Sequence, residues 1–272
     1  MKFSLVLSDQ GSVEALARVA TGVSKVSKKG AALRLLPEAL QFIALDPAQD
    51  GGFFLFVTIP SALAFSSYIF CGLSAEANAI VLDVDIVELA EILSRAHGHT
   101  KMKLFTKGGK PHLLIEERDS HCITHIPVKV VPRRLWPVYE KPTLPRSRVS
   151  VYMPSIRQCH KILQAFRTLG GKYVVVRASS SGELRVSGEM EQAKIAIFFP
   201  DTVMPDSESR EMERASASMN LKALMSFLIG FGFAHSNKAL LHVIDERRTE
   251  LSLVVLDATV SFFMGSTVTA HS

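Results

Sequence analysis

An internal duplication limits what this chain can fold into more than any other feature of it. The opening run "KFSLVLS" alternates apolar and polar residues as a strand does, and "SVEALARVATGVSKVSKK" follows with helical spacing. "AALRLLPEALQFIAL" then reads as two short strands about a tight turn. The same order returns roughly 145 residues later, as "RVSVYMP", the helical "SIRQCHKILQAFRTLGG" and the hairpin "YVVVRASSSGELRVSG". Each half also repeats itself more loosely. "AIVLDVDIVELAEILSRAHGHTKMKLFTKGGKPHLLIEERDSHCITHIPVKVV" and "SASMNLKALMSFLIGFGFAHSNKALLHVIDERRTELSLVVLDATVSFFM" both run strand, helix, hairpin, strand, turning at "TKGGK" and "DERRTE". Four copies of a strand–helix–strands unit predict an α+β architecture, with four helices layered on many short antiparallel strands.

Near the midpoint, Pro132, Pro137, Pro142 and Pro145 each lack an amide donor and fix φ. Residues 132–147 are therefore expected to be a connector without regular structure, between a first domain, 1–131, and a second, 148–272.

The composition, 47% hydrophobic and 21% charged over 272 residues, is that of a folded chain with a substantial core. The longest apolar stretch, "ALMSFLIGFGFA", is about half of the ~20 residues a membrane span needs. "MKFSLVLSDQGS" carries no small-residue cleavage site, so no signal peptide and no membrane partner are expected. Cys71, Cys122 and Cys159 lack zinc or disulfide spacing, which favours a reducing compartment.

The net charge of +5 matters only where it is concentrated. On the first helix Val13, Leu16, Ala17, Ala20 and Val23 share one side, while Arg18, Lys25 and Lys29 cluster opposite, within about 40°. On the third, Ile156, Cys159, Ile162, Leu163, Phe166 and Leu169 form the apolar stripe, opposite Arg157, His160, Lys161 and Gln164. Neither outer face is read as holding a balancing acid. The second helix sets Glu88 and Glu91 beside Arg95, and the fourth offers Lys222 alone. Two basic helix faces at equivalent places in a repeat point to a polyanion.

Other signals carry less. In "DSHCITH" an extended strand would put His121 and His125 on one face and Cys122 on the other, so no metal site is expected. "KGGK" lacks the phosphate-loop pattern, and no nucleophile–base pair or carboxylate pair is recognisable, so no cofactor, no catalytic residue and no enzyme activity are expected. "DTVMPDSESREMERAS", residues 201–216, reads as an exposed polar loop whose Ser207, Ser209 and Ser216 could take phosphate beside Arg210 or Arg214.

Several stretches together resemble one family end to end: the "MKF" start, "LRLLPEALQFI", "GLSAEANAIVLDV", "KMKLFT", "THIPVKVVPRRLWPVYEKPTLP", "VSVYMP", "SGELRV", and "LMSFLIG" followed by "NKALLHVI". The chain is similar to the Hus-one subunits of the heterotrimeric nine-one-one checkpoint clamp, within the PCNA-like sliding clamps. "IPVKVVPRRLW" is the most specific match. The chain departs from the family pattern at the acids Glu88 and Glu91 and at "GFGFAHS".

The resemblance implies two similar domains with inner helices and outer antiparallel sheets, closed with two other PCNA-like subunits into a nuclear ring around double-stranded DNA, with a cytoplasmic pool before assembly. It implies loading by a clamp loader, and a platform for DNA repair enzymes and checkpoint signalling proteins. The DNA-facing residues would be Arg18, Lys25, Lys29, Arg95, Arg157, Lys161 and Lys222. Subunits would join along edge strands, here Cys122, Ile123, Thr124, His125, Ile126, Val128 and Val130 on one side and Ala193, Ile195, Ile197 and Phe199 on the other, with Pro127 suited to an edge. Repair factors would dock at the connector, where Arg133, Arg134, Leu135, Trp136, Val138 and Tyr139 combine Arg and aromatic anchors. The alternatives are a homotrimeric replication clamp and, from another class, a nucleic-acid-modifying enzyme on a duplicated α+β fold.

Overall fold

A computed structural model describes residues 1–47, 52–190, 193–205, 214–232 and 239–265. The chain forms two compact units. The first holds residues 1–44, 56–141 and 256–259, and the second takes the remaining described residues; the connector crosses from one to the other between Lys141 and Pro142.

The first unit runs β1 (Lys2–Leu7), α1 (Gln10–Val26), β2 (Ala31–Leu35), β3 (Ala39–Asp46), β4 (Phe53–Pro60), the single turn α2 (Ser61–Ala64) and β5 (Ser67–Cys71). It continues with β6 (Ile80–Val84), α3 (Ile86–Arg95), β7 (Thr100–Lys107), β8 (Lys110–Glu117), β9 (Cys122–Pro127) and the short β10 (Lys129–Val130). The second unit runs β11 (Val149–Tyr152), α4 (Ile156–Thr168), β12 (Tyr173–Ser179), β13 (Leu184–Glu189) and β14 (Lys194–Phe199). Then come β15 (Arg214–Asn220), α5 (Leu221–Gly230), β16 (Leu240–Val243), β17 (Arg248–Val255) and β18 (Ala258–Gly265). Every copy of the repeat is strand, helix, strands, as the duplication predicts.

The copies interlock by exchanging their first strands. β1 pairs with β7 of the second copy, Leu5 opposite Met102, and β6 pairs with β2 of the first, Leu82 opposite Leu33. The second unit repeats the exchange: β11 pairs with β16, Val151 opposite Leu241, and β15 with β12, Ala217 opposite Val176. All four pairings are antiparallel. Neither copy can bury its apolar face without the other, so each pair of copies makes one core.

The cores follow from the periods in the sequence. Phe3, Leu5 and Leu7 of β1 are buried and alternate with half-exposed Ser4 and Val6. α1 buries Val13, Leu16, Ala17, Ala20 and Val23 and packs on α3. α4, packed on α5, buries Ile156, Cys159, Leu163 and Phe166, and the Phe227 and Phe262 rings stack at 4.9 Å. Each fully buried large apolar side chain contributes about 1.5–3 kcal/mol. Leu169 departs from the expected stripe: it is the C-cap of α4 and 47% exposed, because the helix period ends before it. Burial also raises the Cys159 thiol to about 12 and leaves it inert, its Sγ 3.5 Å from the Pro154 carbonyl.

Three further expectations need correction. The connector is not wholly irregular: Arg133–Tyr139 form a 3-10 helix, which accommodates Pro137 because the bonds it makes, Leu135 N–H to Pro132 O (2.9 Å) and Glu140 N–H to Pro137 O (3.3 Å), need no donor at that residue. The polar segment 201–216 ends sooner, since residues 214–216 begin β15; residues 206–213, with Ser207, Ser209 and Arg210, lie outside the described residues. The hairpin glycines behave as expected, Gly108 and Gly109 having φ of 56° and 77° in the turn between β7 and β8. His121, however, is a turn residue with φ of 51° and does not extend β9, so it shares no strand face with His125. Among the described residues no group of three or more His, Cys, Asp or Glu could hold a metal, and no helix is long and apolar enough to cross a membrane.

Candidate nucleic-acid interface

A side-chain cap fixes the start of each long helix, and with it the residues that face outward. Asp9 accepts from the Ser12 amide (2.9 Å) and hydroxyl (2.7 Å), which holds its carboxyl below the usual range. Asp85 accepts from the amides of Val87 and Glu88 at 3.0 and 3.1 Å, Ser155 from Gln158 at 3.3 Å, and Asn220 from Ala223 at 3.0 Å.

The most uniformly basic face belongs to α4. Arg157 and Lys161, one turn apart, are exposed, and the helix contains no Asp or Glu. Arg167, which periodicity alone passes over, is exposed in the last turn, about 80° round from Arg157. On α1, Arg18 and Lys25 are exposed, but the face is not free of acid. Glu14 lies one turn before Arg18, with its Oε2 3.6 Å from Nη2. Both partners are more than half exposed, so the pair adds little stability but halves the net charge that Arg18 and Lys25 present.

Lys29 is on no helix face. α1 ends at Val26, and Ser27 leaves helical space, its N–H bonding Val23 O at 2.8 Å and its hydroxyl Gly30 O at 2.8 Å. Lys28 and Lys29 sit in the turn that follows, beside Asp83, Asp85 and Lys129 around a surface recess. On α3, Arg95 pairs with Glu91 at 3.7 Å and Glu88 is exposed, so that face is acidic on balance. α5 contributes exposed Lys222, half-buried Ser226 and the apolar Ile229, 50% exposed.

Each unit also ends a sheet on an open strand. β9 closes the order β5-β1-β7-β8-β9 and β14 the order β14-β13-β12-β15, and neither has a partner on its outer side among the described residues. On β9, Cys122 and Ile123 are exposed, Thr124 and His125 half-buried and Ile126 buried. On β14, Ile195, Ile197 and Phe199 are half-buried and alternate with exposed residues. The run 122–130 is not one strand, however. After Pro127 the chain changes sheets: Val128 is buried, and Lys129 and Val130 of β10 pair with Asp83 and Leu82 of β6. Ala193 precedes β14, its carbonyl accepting from Met190 N–H at 2.9 Å.

In the connector, Arg133, Arg134, Leu135 and Val138 are exposed, the last two at 44% and 53%. Trp136 and Tyr139 are half-buried and turned to the chain's own body. Trp136 donates its indole N–H to Val131 O at 3.0 Å, and burial, then the Asp83 charge, raises the Tyr139 phenol. Beyond Lys141 the connector enters the second unit, where Pro142 and Leu144 help line a groove of about 940 Å³ with Phe53, Phe54, Phe263 and the Asp245–Arg248 turn. No period in the sequence brings these residues together; the tertiary fold alone does.

This arrangement has known counterparts. Residues 1–268 match the family model described as Hus1-like protein. Checkpoint protein HUS1 of Homo sapiens is 26% identical over 279 residues, covering 97% of this chain and 99% of that protein. Checkpoint protein hus1 of Schizosaccharomyces pombe is 22% identical over 193 residues, 68% of this chain and 66% of its own. Among solved structures, the chain resembles Proliferating Cellular Nuclear Antigen from Entamoeba histolytica with a TM-score of 0.74 at 11% identity, covering 98% of this chain and 99% of that one. It resembles A. fulgidus PCNA, solved with the C-terminal region of FEN-1, with a TM-score of 0.72 at 14% identity, covering 99% and 100%. At such identities these likenesses establish the fold, and the full-length family match establishes the lineage. The chain belongs to the Hus1-like protein family and is built on the PCNA-like sliding-clamp fold.

Proposed function

We propose that this chain is a non-catalytic subunit of a heterotrimeric checkpoint sliding clamp, which encircles duplex DNA in the nucleus and presents docking sites to repair and signalling proteins. One observation carries the reading: two unlike open strands, β9 in the first unit and β14 in the second, on one clamp-fold chain. Unlike edges make a heterologous contact, which closes into a ring when the rotation per subunit allows. An uncovered edge invites aggregation, so the chain needs neighbours. The basic faces of α4 and α1 supply phosphate contacts without sequence preference. The groove beside Pro142 and Leu144 takes short apolar segments of partner proteins, with a clamp loader placing the ring on DNA.

Light scattering tests the assembly. The chain alone should run as a 29.8 kDa monomer and form a ring only with two other PCNA-like chains. A self-assembled trimer of about 90 kDa would instead make it a homotrimeric replication clamp. Ile123→Glu, at a side chain 55% exposed on β9, should abolish ring formation and leave the monomer's melting temperature unchanged.

A further inference from the structure

The first unit carries a polar row on the side of its sheet that faces away from the core. Leu33 and Leu35 of β2 and Leu40 and Phe42 of β3 are fully buried, so strand alternation turns Arg34 and Gln41 to the other face. Register then aligns the row. Val131 donates its N–H to Val81 O on β6 at 2.8 Å, Val81 is opposite Arg34, and Arg34 is opposite Gln41. Gln41 Nε2 in turn donates to Thr58 Oγ1 on β4 at 3.4 Å. Val131 and Val81 are buried beside the Trp136 bond of the connector, whereas Arg34 and Thr58 are half-buried.

Arg34 is out of keeping with this setting. Its Nε is buried without a hydrogen-bond partner, and so is Oε1 of Gln41, a side chain only 9% exposed. A desolvated donor on a charged group and a desolvated acceptor thus stand on directly opposed residues, and each costs stability. No acid answers the charge. Among the described residues Arg34 makes no ion pair, and Asp83, two places along β6 from Val81, stands opposite Lys129. With Nε buried, the end of the guanidinium, Nη1 and Nη2, is the part that reaches solvent. Local conflicts of this kind are expected at functional sites.

We propose that Arg34 is a receptor for one carboxylate, an Asp or Glu side chain on a partner protein's segment that lies on this face beside the connector, and that Gln41 positions it. A lone half-buried cation is matched by a monoanion, while a phosphate dianion would leave surplus negative charge in a desolvated place. The planar fork takes both carboxylate oxygens end-on, one from each Nη. Gripped in this way the guanidinium is fixed, and its Nε–H turns to Oε1 of Gln41, so the partner's acid removes both buried defects together. The inference rests on the reading of the chain as a docking platform and adds what an occupant of this face must carry. It needs neither ring nor DNA, so its test and that of assembly fail separately.

The experiment immobilises the full chain and offers two pools of acetylated, amidated heptapeptides. Both lack Asp and Glu, except that one has a central Glu where the other has Gln. The Glu pool should be retained about tenfold better. Arg34→Met should erase that preference while the melting temperature holds or rises, since a desolvated charge is removed. Arg34→Lys keeps the charge and should still lose most of the preference, because the fork is gone. Gln41→Leu should keep part of it. In nitrogen–proton spectra, a peptide recovered from the Glu pool should shift the Arg34 Nε–H resonance of the parent and leave that of Gln41→Leu in place. Equal retention of the two pools, a Glu preference that survives Arg34→Met and Arg34→Lys, or an Nε–H resonance that does not move in the parent would overturn the proposal. So would a central phosphoserine retained better than Glu and lost in Arg34→Met, which would assign the site to phosphate.

Discussion

The indole N–H of Trp136 donates to the carbonyl of Val131 at 3.0 Å, and the amide of Val131 in turn donates to Val81 O at 2.8 Å. The only tryptophan of the chain thus ties the connector to the first unit's sheet. Trp136→Phe keeps an aromatic ring and removes the donor, so it should cost about 1 kcal/mol, roughly 3 °C in melting temperature. Leu135→Ala with Val138→Ala removes only exposed side chains and should leave the melting temperature alone. If the connector docks partners, the double alanine variant weakens their binding in calorimetry and Trp136→Phe does not.

Gly188 is required by the ring of Phe166. A Cβ at Gly188 would stand 2.7 Å from Phe166 Cδ1 and Cε1 and 3.4 Å from Tyr173 O, and Phe166, being fully buried, has nowhere to move. Gly188→Ala should therefore destabilise by about 1–3 kcal/mol through overpacking. Phe166→Leu makes room, so urea melts of the double variant should show a cost smaller than the sum of the two singles.

How much of this was legible beforehand depends on whether a feature repeats locally. The α4 stripe of Ile156, Cys159, Leu163 and Phe166, with Arg157 and Lys161 opposite, follows from the helical period and the Ser155 cap, both of which lie in neighbouring residues. Val128 did not, because "ITHIPVKVV" stays strand-like across Pro127 and no local rule says that the chain changes sheets there. Lys29 joins the basic face only if the helical period is continued three residues past the end of α1, and Glu14, one turn before Arg18, belongs to that same face. The groove of Phe53, Phe54, Leu144 and Phe263 joins positions far apart in the chain, and only the fold brings them together.

The turn that borders this groove has a built-in acid sensitivity. Asp245 accepts from the Arg247 and Arg248 amides at 2.9 and 2.8 Å and from Arg248 Nε at 2.6 Å. Burial alone would raise its carboxyl, but the Arg248 side chain and these amides outweigh it and hold the group below the usual Asp range. A depressed folded value stabilises the protein above the unfolded carboxyl's pKa, and that contribution fades as pH falls through the folded value. Asp245→Asn should therefore be less stable than the parent near pH ~6, with the gap in denaturant midpoint shrinking toward pH ~3. A gap that stayed constant across the range would assign the difference to packing.

The helix faces should contribute unequally to DNA retention, in an order set by their neighbouring acids. Each phosphate neutralised adds roughly −0.9 to the slope of log K against log salt, so about four contacts give −3 to −4 for the assembled ring. Arg157 and Lys161 have no acid on their helix, so Arg157→Gln with Lys161→Gln should flatten the slope by about 2. Arg95 is paired with Glu91 at 3.7 Å beside exposed Glu88, so Arg95→Gln should change it by much less than 1. Glu14→Gln releases Arg18 from its 3.6 Å pair and should steepen the slope by up to about 1, which a loss of structure could not do. Retention of circular duplex DNA by the reconstituted ring, followed from 50 to about 200 mM salt, reads all three. An unchanged slope in the Arg157 and Lys161 variant would show that α4 does not face the duplex, whatever the family's fold.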